Sequence, residues 1–518
     1  MSRFRTALDA LRPSEGPRRW IFVPYDQLSD RVGPLATTPP AEAGIVVVES
    51  PAKAARRPYH RQKLAFVLAN LRHFALEQAR RGVAVRHVIS RGDYAHALEP
   101  IARELGPLDV MEPAERELRV DLAPLLERGL VRFLPHDGWI TTRKSFLAAV
   151  GARPPWRMDA FYRHVRRATG VLMERGKPVG GRFSFDGENR RRWNGEPLAP
   201  DPPRFEPDAI TREVGQLIVD RYASHPGTLD LGALPATEAD ARRTWEWASS
   251  QCLPTFGPFE DAMSTRSRGL FHTRIAALLN VHRLLPRDVV RDAAALDAPV
   301  ASREGFVRQV LGWREFVRHV HRETDGFAAF DARAGGVLRA RRGLPAAYWG
   351  APSGLACLDR VVSDVLAEGW SHHITRLMVL ANVATLLDVS PRETTDWFWS
   401  LYVDAYDWVV EPNVLAMGTY AVGDTMTTKP YVAGSAYVDR MSDHCKSCAF
   451  DPKRDCPLTP LYWAFMDRHA ADLSGNERMR LPLASLAARD PARRRADAET
   501  FERVSEALAR GESIAPVE

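Results

Sequence analysis

Cysteine is scarce: the chain has five in 518 residues, and three of them fall within "DHCKSCAFDPKRDCPLTPLYW", Asp443 to Trp463. So sparse a set excludes a small disulfide-stapled scaffold. No apolar run approaches the roughly 20 residues that span a bilayer. The opening, "MSRFRTALDALRPSEGPRRW", is basic and lacks the apolar stretch of a secretory signal. The expectation is a cytoplasmic protein with no membrane part, whose thiols stay reduced. No GxGxxG and no P-loop follow the first strand-like run, so an ordinary dinucleotide or ATP site is unsupported. Internal repeats are also missing.

What is present starts with an alternation. "WIFV" (20–23), "GIVVVE" (44–49), "VAVRHV" (83–88), "LDVM" (108–111) and "VRFL" (131–134) are short strand-like runs. Longer helical text such as His60 to Arg81 separates them, which predicts a parallel sheet with helical crossovers and a ligand at the carboxyl ends of its strands. From about Pro154 to Pro207 the text turns irregular and rich in Pro, Gly and Arg, with one helix-like piece, "MDAFYRHVRRATGVLMERG". Beyond Asp208 apolar residues recur at helical spacing, and the tail after Pro491 reads as a helix solvated on one face. The expected organisation is an α/β domain over 1–145, a long connection over 146–210 and an all-helical domain over 211–518.

A net charge of +6 and a pI near 9.1 point modestly to a polyanionic partner. The basic stretches at 163–170, 189–195 and 339–343 fit either a solvated surface or a track for phosphates.

Cys445, Cys448 and Cys456 have the spacing of a metal-binding loop. Zinc takes four ligands, and a 4Fe-4S cluster takes one thiolate per iron, so a fourth donor is required. Cys357, Cys252 and His444 are open to that role, and spacing alone does not separate zinc from iron–sulfur. Cys252 sits in apolar text that suits a small core residue.

Three blocks are more specific: "WFWSLYVDAYDWVVEPNVLAMG", "TKPYVAGSAYVDRMSDHCKSC" and "CPLTPLYWAF". With "RQVLGWREF", "SHHITRLMV", "GGRFSFDGENR" and "DQLS", they make the chain resemble the iron–sulfur bacterial cryptochromes and photolyases, also called prokaryotic (6-4) photolyases, over nearly its whole length. The resemblance implies an α/β antenna domain, a linker and a helical FAD domain. It implies a 4Fe-4S cluster on Cys357, Cys445, Cys448 and Cys456, and 6,7-dimethyl-8-ribityllumazine as antenna. By strand position alone, Glu49 and Ser50 are the candidates to touch that antenna.

Residue roles follow from the same likeness. Gln309 stands where enzymes for cyclobutane dimers carry Glu, and its amide both donates and accepts. His373, beside His372, falls at the position of a proton donor to the lesion, an acid role that suits imidazole. Leu377 replaces the second catalytic histidine of related eukaryotic enzymes. Tyr431 aligns with a lesion contact. Asp186 matches a linker carboxylate tied to a divalent ion, with Asp261 as the second carboxylate of a Mg2+ site. His272, Thr273 and Arg274, at an expected helix start, would hold the flavin pyrophosphate. Gln309, Trp313 and Arg314 lie on one helix near the flavin, and Arg376 and Asp404 match the pair beside the isoalloxazine. Val410 replaces the residue that faces flavin N5. Electron transfer would use Trp397 and Trp349 and, because Phe398 is hard to oxidise, Tyr406.

The function so implied is light-dependent reversal of (6-4) pyrimidine photoproducts in UV-damaged DNA by a monomeric enzyme that flips its target out of the stack. The alternative is a blue-light cryptochrome of the same fold that signals through a partner.

Overall fold

The structure, a computed structural model, describes residues 2–13, 16 and 18–516. Arg19–Phe22 (β1), Ala43–Glu49 (β2), Ala84–Ile89 (β3), Leu108–Met111 (β4) and Val131–Leu134 (β5) pair in parallel in the order β3-β2-β1-β4-β5. Each lies within a residue of its strand-like run. The register places Ile21 opposite Ile45 and Ile45 opposite Val85. Every residue of β2 is buried, as a strand covered on both faces requires. Helix Arg61–Arg80 supplies much of that cover, and the His60 ring starts it by accepting the Gln62 N–H at 3.0 Å.

Helices run across both expected boundaries. Position 145/146 falls inside helix Arg143–Val150, where Phe146 is buried against Phe161 of the connection and Phe316 of the helical part, 5.8 and 5.9 Å away between ring centroids. At the other end, helix Ala209–Arg221 packs on Arg61–Arg80 and so completes the α/β unit. Its Glu213 accepts hydrogen bonds from Arg72 at 2.9 Å and from Ser2 Oγ at 2.6 Å. The connection holds helix Met158–Thr169, ended by Gly170 at φ +74°, and then a small antiparallel ladder of Met173–Glu174 with Lys177–Pro178 that the sequence pattern did not reveal.

The remainder is helical. Among the described residues, four of its helices widen into π-helical turns, at Ala248–Cys252, Arg308–Arg314, Arg376–Ala381 and Glu411–Gly418. Such turns often mark functional sites, and two of these carry expected flavin residues. Helix Pro491–Ala509 closes the C-terminal end on helix Leu458–Arg468, with Arg468 lying 3.4 Å over the Phe501 ring. Among the described residues, no helix is long and apolar enough to cross a membrane.

Candidate active site and its neighbouring cavities

The π-helical turn Arg308–Arg314 aims Gln309 into a polar cleft, where its amide donates to Glu260 Oε1 at 2.5 Å. The other Glu260 oxygen accepts from Asn189 at 2.5 Å and from Arg308 at 3.4 Å. Arg308 also reaches Asp186 at 3.2 Å. Arg190 pairs with Asp186 and lies 3.6 Å from Asp261, so its guanidinium stands between the two carboxylates expected to share Mg2+. Asp261 Oδ1 in turn is 3.3 Å from His373 Nε2. Linker and helical residues thereby form one network around His373, whose side chain is 42% exposed and open to a substrate. Burial raises the pKa of Tyr431, and Asp186 raises it further. Tyr437 shifts upward in the same way, from burial and then Asp261. Glu260, Arg190 and Tyr437 were missed from sequence, although Glu260 adjoins Asp261 and Arg190 ends the quoted "FSFDGENR".

His272 was expected beside the flavin phosphates and His372 at the lesion, yet the structure joins them. Their rings stack with centroids 4.6 Å apart and planes 11° apart, and His373 lies 5.5 Å from His272. Burial holds both His272 and His372 well below the usual imidazole pKa, so each is neutral near pH 7. Among the described residues, His272 Nε2 and His372 Nδ1 are buried without a hydrogen-bond partner.

Behind this cleft, Arg376 forms a two-pronged pair with Asp404 at 3.0 and 2.9 Å and donates to the Ser371 carbonyl at 2.8 Å. Burial lowers its pKa, but the Asp404 charge outweighs this and the net shift is upward, so the cation is permanent. The Asp404 carbonyl accepts from Asn280 at 2.9 Å, and Asn280 accepts from Arg314 at 3.2 Å. Arg314 points on toward Trp139, 4.0 Å beneath its guanidinium, and Trp313 meets Phe316 edge-on. Thr273 and Arg274 precede a helix that begins only at Ala276. Arg274 has φ +55°, pairs with Glu368 at 2.7 Å and covers Trp370 at 4.2 Å. Val410 is buried.

The aromatics divide into two groups. Trp397 is buried, donates to the Tyr348 carbonyl at 2.8 Å, and meets the rings of Tyr348 at 5.4 Å and Tyr402 at 6.1 Å. Tyr402 lies 4.1 Å under the Arg376 guanidinium, and Trp349, next to Tyr348, is 45% exposed. A line of rings therefore runs from Arg376 through Tyr402 and Trp397 to buried Tyr348. Tyr406 is not on it. Its ring stacks on Tyr25 at 6.2 Å, on the side facing the sheet.

All four expected cysteines line one small cavity with Leu355, Val438, His444 and Phe450. Cys357 comes from helix Ala356–Glu368, and the others from the loop that includes His444–Ser447. Burial pushes Cys445 up to about 11 and Cys456 up to about 12. Cys252 lies elsewhere, its thiol 3.9 Å from the His272 carbonyl.

A second cavity, of about 140 Å³, opens at the carboxyl ends of β1, β2 and β3. Glu49 and Ser50 line it together with Tyr25, Lys63, Tyr94, Glu115, Trp399 and Tyr406. Glu49 is committed within the protein. Burial alone would raise its pKa, but hydrogen bonds from His87 and Arg72 hold it at about 2. Ser50 Oγ accepts from the Lys53 N–H and caps a short helix. Among the described residues, the Tyr25 and Tyr406 hydroxyls and Glu115 Oε2 are buried without partners; sequence reading had not assigned Tyr25 or Glu115.

Comparison with known proteins agrees with this arrangement. Residues 21–232 match a family described as deoxyribodipyrimidine photo-lyase-related protein. The (6-4) photolyase of Agrobacterium fabrum is 33% identical over 495 residues, covering 90% of this chain and 95% of that one. The fold matches the crystal structure of a bacterial class III photolyase from Agrobacterium tumefaciens with a TM-score of 0.57, 13% identity and coverage of 95% and 99%. The cryptochrome of Synechocystis sp. PCC6803 matches with a TM-score of 0.58, 13% identity and coverage of 96% and 100%. With an α/β unit joined to a helical body and a relative this similar along nearly its full length, the chain belongs to the photolyase and cryptochrome family, in the branch of the bacterial (6-4) photolyases.

Proposed function

We propose that this protein is a light-driven DNA repair enzyme acting on (6-4) pyrimidine photoproducts. The observation that carries the reading is the network joining Gln309, Glu260, Asp261 and His373 at an open cleft in front of the Arg376–Asp404 pair. When bound, reduced FAD supplies a photoexcited electron to the lesion. The donor set fits that group: a permanent Arg376 cation favours an anionic ring, and the partnerless His272 and His372 nitrogens are free to meet a ligand.

The protein's own work is positioning and proton control. Gln309 is held by Glu260 so that its carbonyl oxygen faces an extruded base. Exposed His373, oriented by Asp261, delivers a proton from a ring nitrogen to the lesion and takes it back. The stacked neutral pair His272 and His372 walls off water behind it. Arg190, beside the cleft carboxylates, and the exposed Arg191 and Arg192 that follow it would track the phosphates. A divalent ion between Asp186 and Asp261 would have to displace Arg190. Repair that persists in Asp186→Asn and under chelation removes that ion from the scheme.

Two further groups fit. Cys357, Cys445, Cys448 and Cys456 line one small cavity, a donor set that would supply one thiolate to each iron of a 4Fe-4S cluster. The sheet-end cavity, apolar with a few partnerless hydroxyls, suits the ring and ribityl chain of 6,7-dimethyl-8-ribityllumazine.

The test is illumination of the purified, reduced protein with an oligonucleotide containing one (6-4) lesion. Restoration of the thymines only in blue light, lost about 10²–10⁴-fold in His373→Asn, is the expected result. No repair under any illumination would move the protein to the signalling cryptochromes.

A further inference from the structure

Lys63 is the one cationic side chain on helix Arg61–Arg80 whose head group enters the helical body at the flavin clasp. It is 6% exposed, and its Nζ donates to the Trp399 and Ala405 carbonyls, both at 2.6 Å. These acceptors bracket Asp404. Asp404 is itself held by Arg376 on its carboxylate and by Asn280, 2.9 Å from its carbonyl. The segment is therefore gripped by two sets of donors from two units of the fold. The same Nζ lines the sheet-end cavity, 4.8 Å from the Tyr59 ring and 5.8 Å from the Tyr406 ring.

We propose that Lys63 is a positioning residue that sets the Asp404 clasp and couples it to the occupant of the sheet-end cavity. The inference rests on the reading that flavin binds beside Arg376. An ammonium has three N–H groups and a neutral amine two, so both carbonyl bonds survive loss of the proton. That matters because burial pulls the Lys63 pKa well below its ordinary value. A ligand filling the cavity confines Lys63 and Tyr406 to these positions. By linkage, whatever that ligand adds to flavin retention, flavin returns to the ligand's affinity.

The experiment compares flavin release from the full-length holoprotein in wild type, Lys63→Met, Asp404→Asn and the double variant. Lys63→Met is expected to release flavin about tenfold faster, from two lost hydrogen bonds. If Lys63 acts through Asp404, adding Lys63→Met to Asp404→Asn changes the rate by less than about threefold. Rates that multiply overturn the proposal. Saturating 6,7-dimethyl-8-ribityllumazine should slow flavin release in wild type and not in Lys63→Met, and an equal response in both refutes the coupling. Where Lys63→Met does not fold, Lys63→Gln, whose amide stops short of both carbonyls, gives the same comparison. Wild-type protein that binds no flavin at all would sink the functional reading instead. In that case backbone hydrogen exchange at Ala405 to Asp407 decides the positioning claim, and exchange unchanged by Lys63→Met overturns it.

Discussion

Asp407 of the helical body accepts the backbone N–H of Arg116 through Oδ2 at 2.6 Å, and that of Glu117 at 3.1 Å. Those amides begin helix Arg116–Glu127 of the α/β unit, whose own cap residue, Glu115, makes no side-chain capping bond. The cap of one unit's helix is thus supplied by the other unit. Asp407→Ala should release it at about 1 kcal/mol, the usual worth of a cap. Hydrogen exchange at Arg116 and Glu117 should then quicken about fivefold, with Asp407→Asn, which keeps an acceptor, near wild type.

Asp26, in the "DQLS" block, is buried with Oδ1 unpartnered among the described residues. Burial raises its pKa to about 7, helped by the Asp407 charge. A carboxyl whose folded pKa lies above its unfolded one stabilises the fold fully below about pH 4. That contribution is lost as pH rises through the folded value, at roughly 1.4 kcal/mol per pH unit at most. Asp26→Asn removes the titration. The melting temperature of the variant relative to wild type should therefore climb between pH 5 and pH 8, and a constant difference would contradict the assignment.

Iron content separates the cysteines. Cys357→Ser removes one wall of the four-thiol cavity and should drop iron well below the roughly four atoms per chain of a full cluster. Cys252→Ser, at a site away from that cavity, should leave iron and visible absorption unchanged. The readout is metal analysis alongside the absorption spectrum.

Photoreduction of the flavin should slow strongly in Trp397→Phe, which removes the indole between Tyr402 and Tyr348. Tyr406→Phe should leave the rate as it is, because that ring stacks on Tyr25 instead. Transient absorption on the two variants checks both.

The parallel sheet was legible because β-branched runs such as "GIVVVE" alternate with helical text, and that alternation has few other solutions. Cys445, Cys448 and Cys456 were legible because thiols are rare here and these cluster in sequence, whereas only the family resemblance singles out Cys357 from the alternatives. Roles that depend on aim were not. Arg274 reads as a phosphate ligand until Glu368, nearly a hundred residues on, claims it, and Tyr406 reads as a neighbour of Trp397 although the chain turns it toward the sheet. Glu260 and Lys63 carry no motif and Arg190 only ends one, since their importance comes from partners that only the folded chain brings near. The expected boundary at 145 rests on a composition shift, whereas the fold runs helix Arg143–Val150 across it and buries Phe146 against Phe161.

The widened turn at Arg308–Arg314 sets a rule for how this region can vary. An extra residue per turn leaves the axis almost in place while shifting every later side chain around it, about 100° for each residue gained or lost. Exchanging one residue for another there perturbs a single contact. Removing one would restore an ordinary ladder of backbone bonds and swing Gln309 and Trp313 out of phase with each other. In this stretch chain length, more than residue identity, is the quantity under constraint.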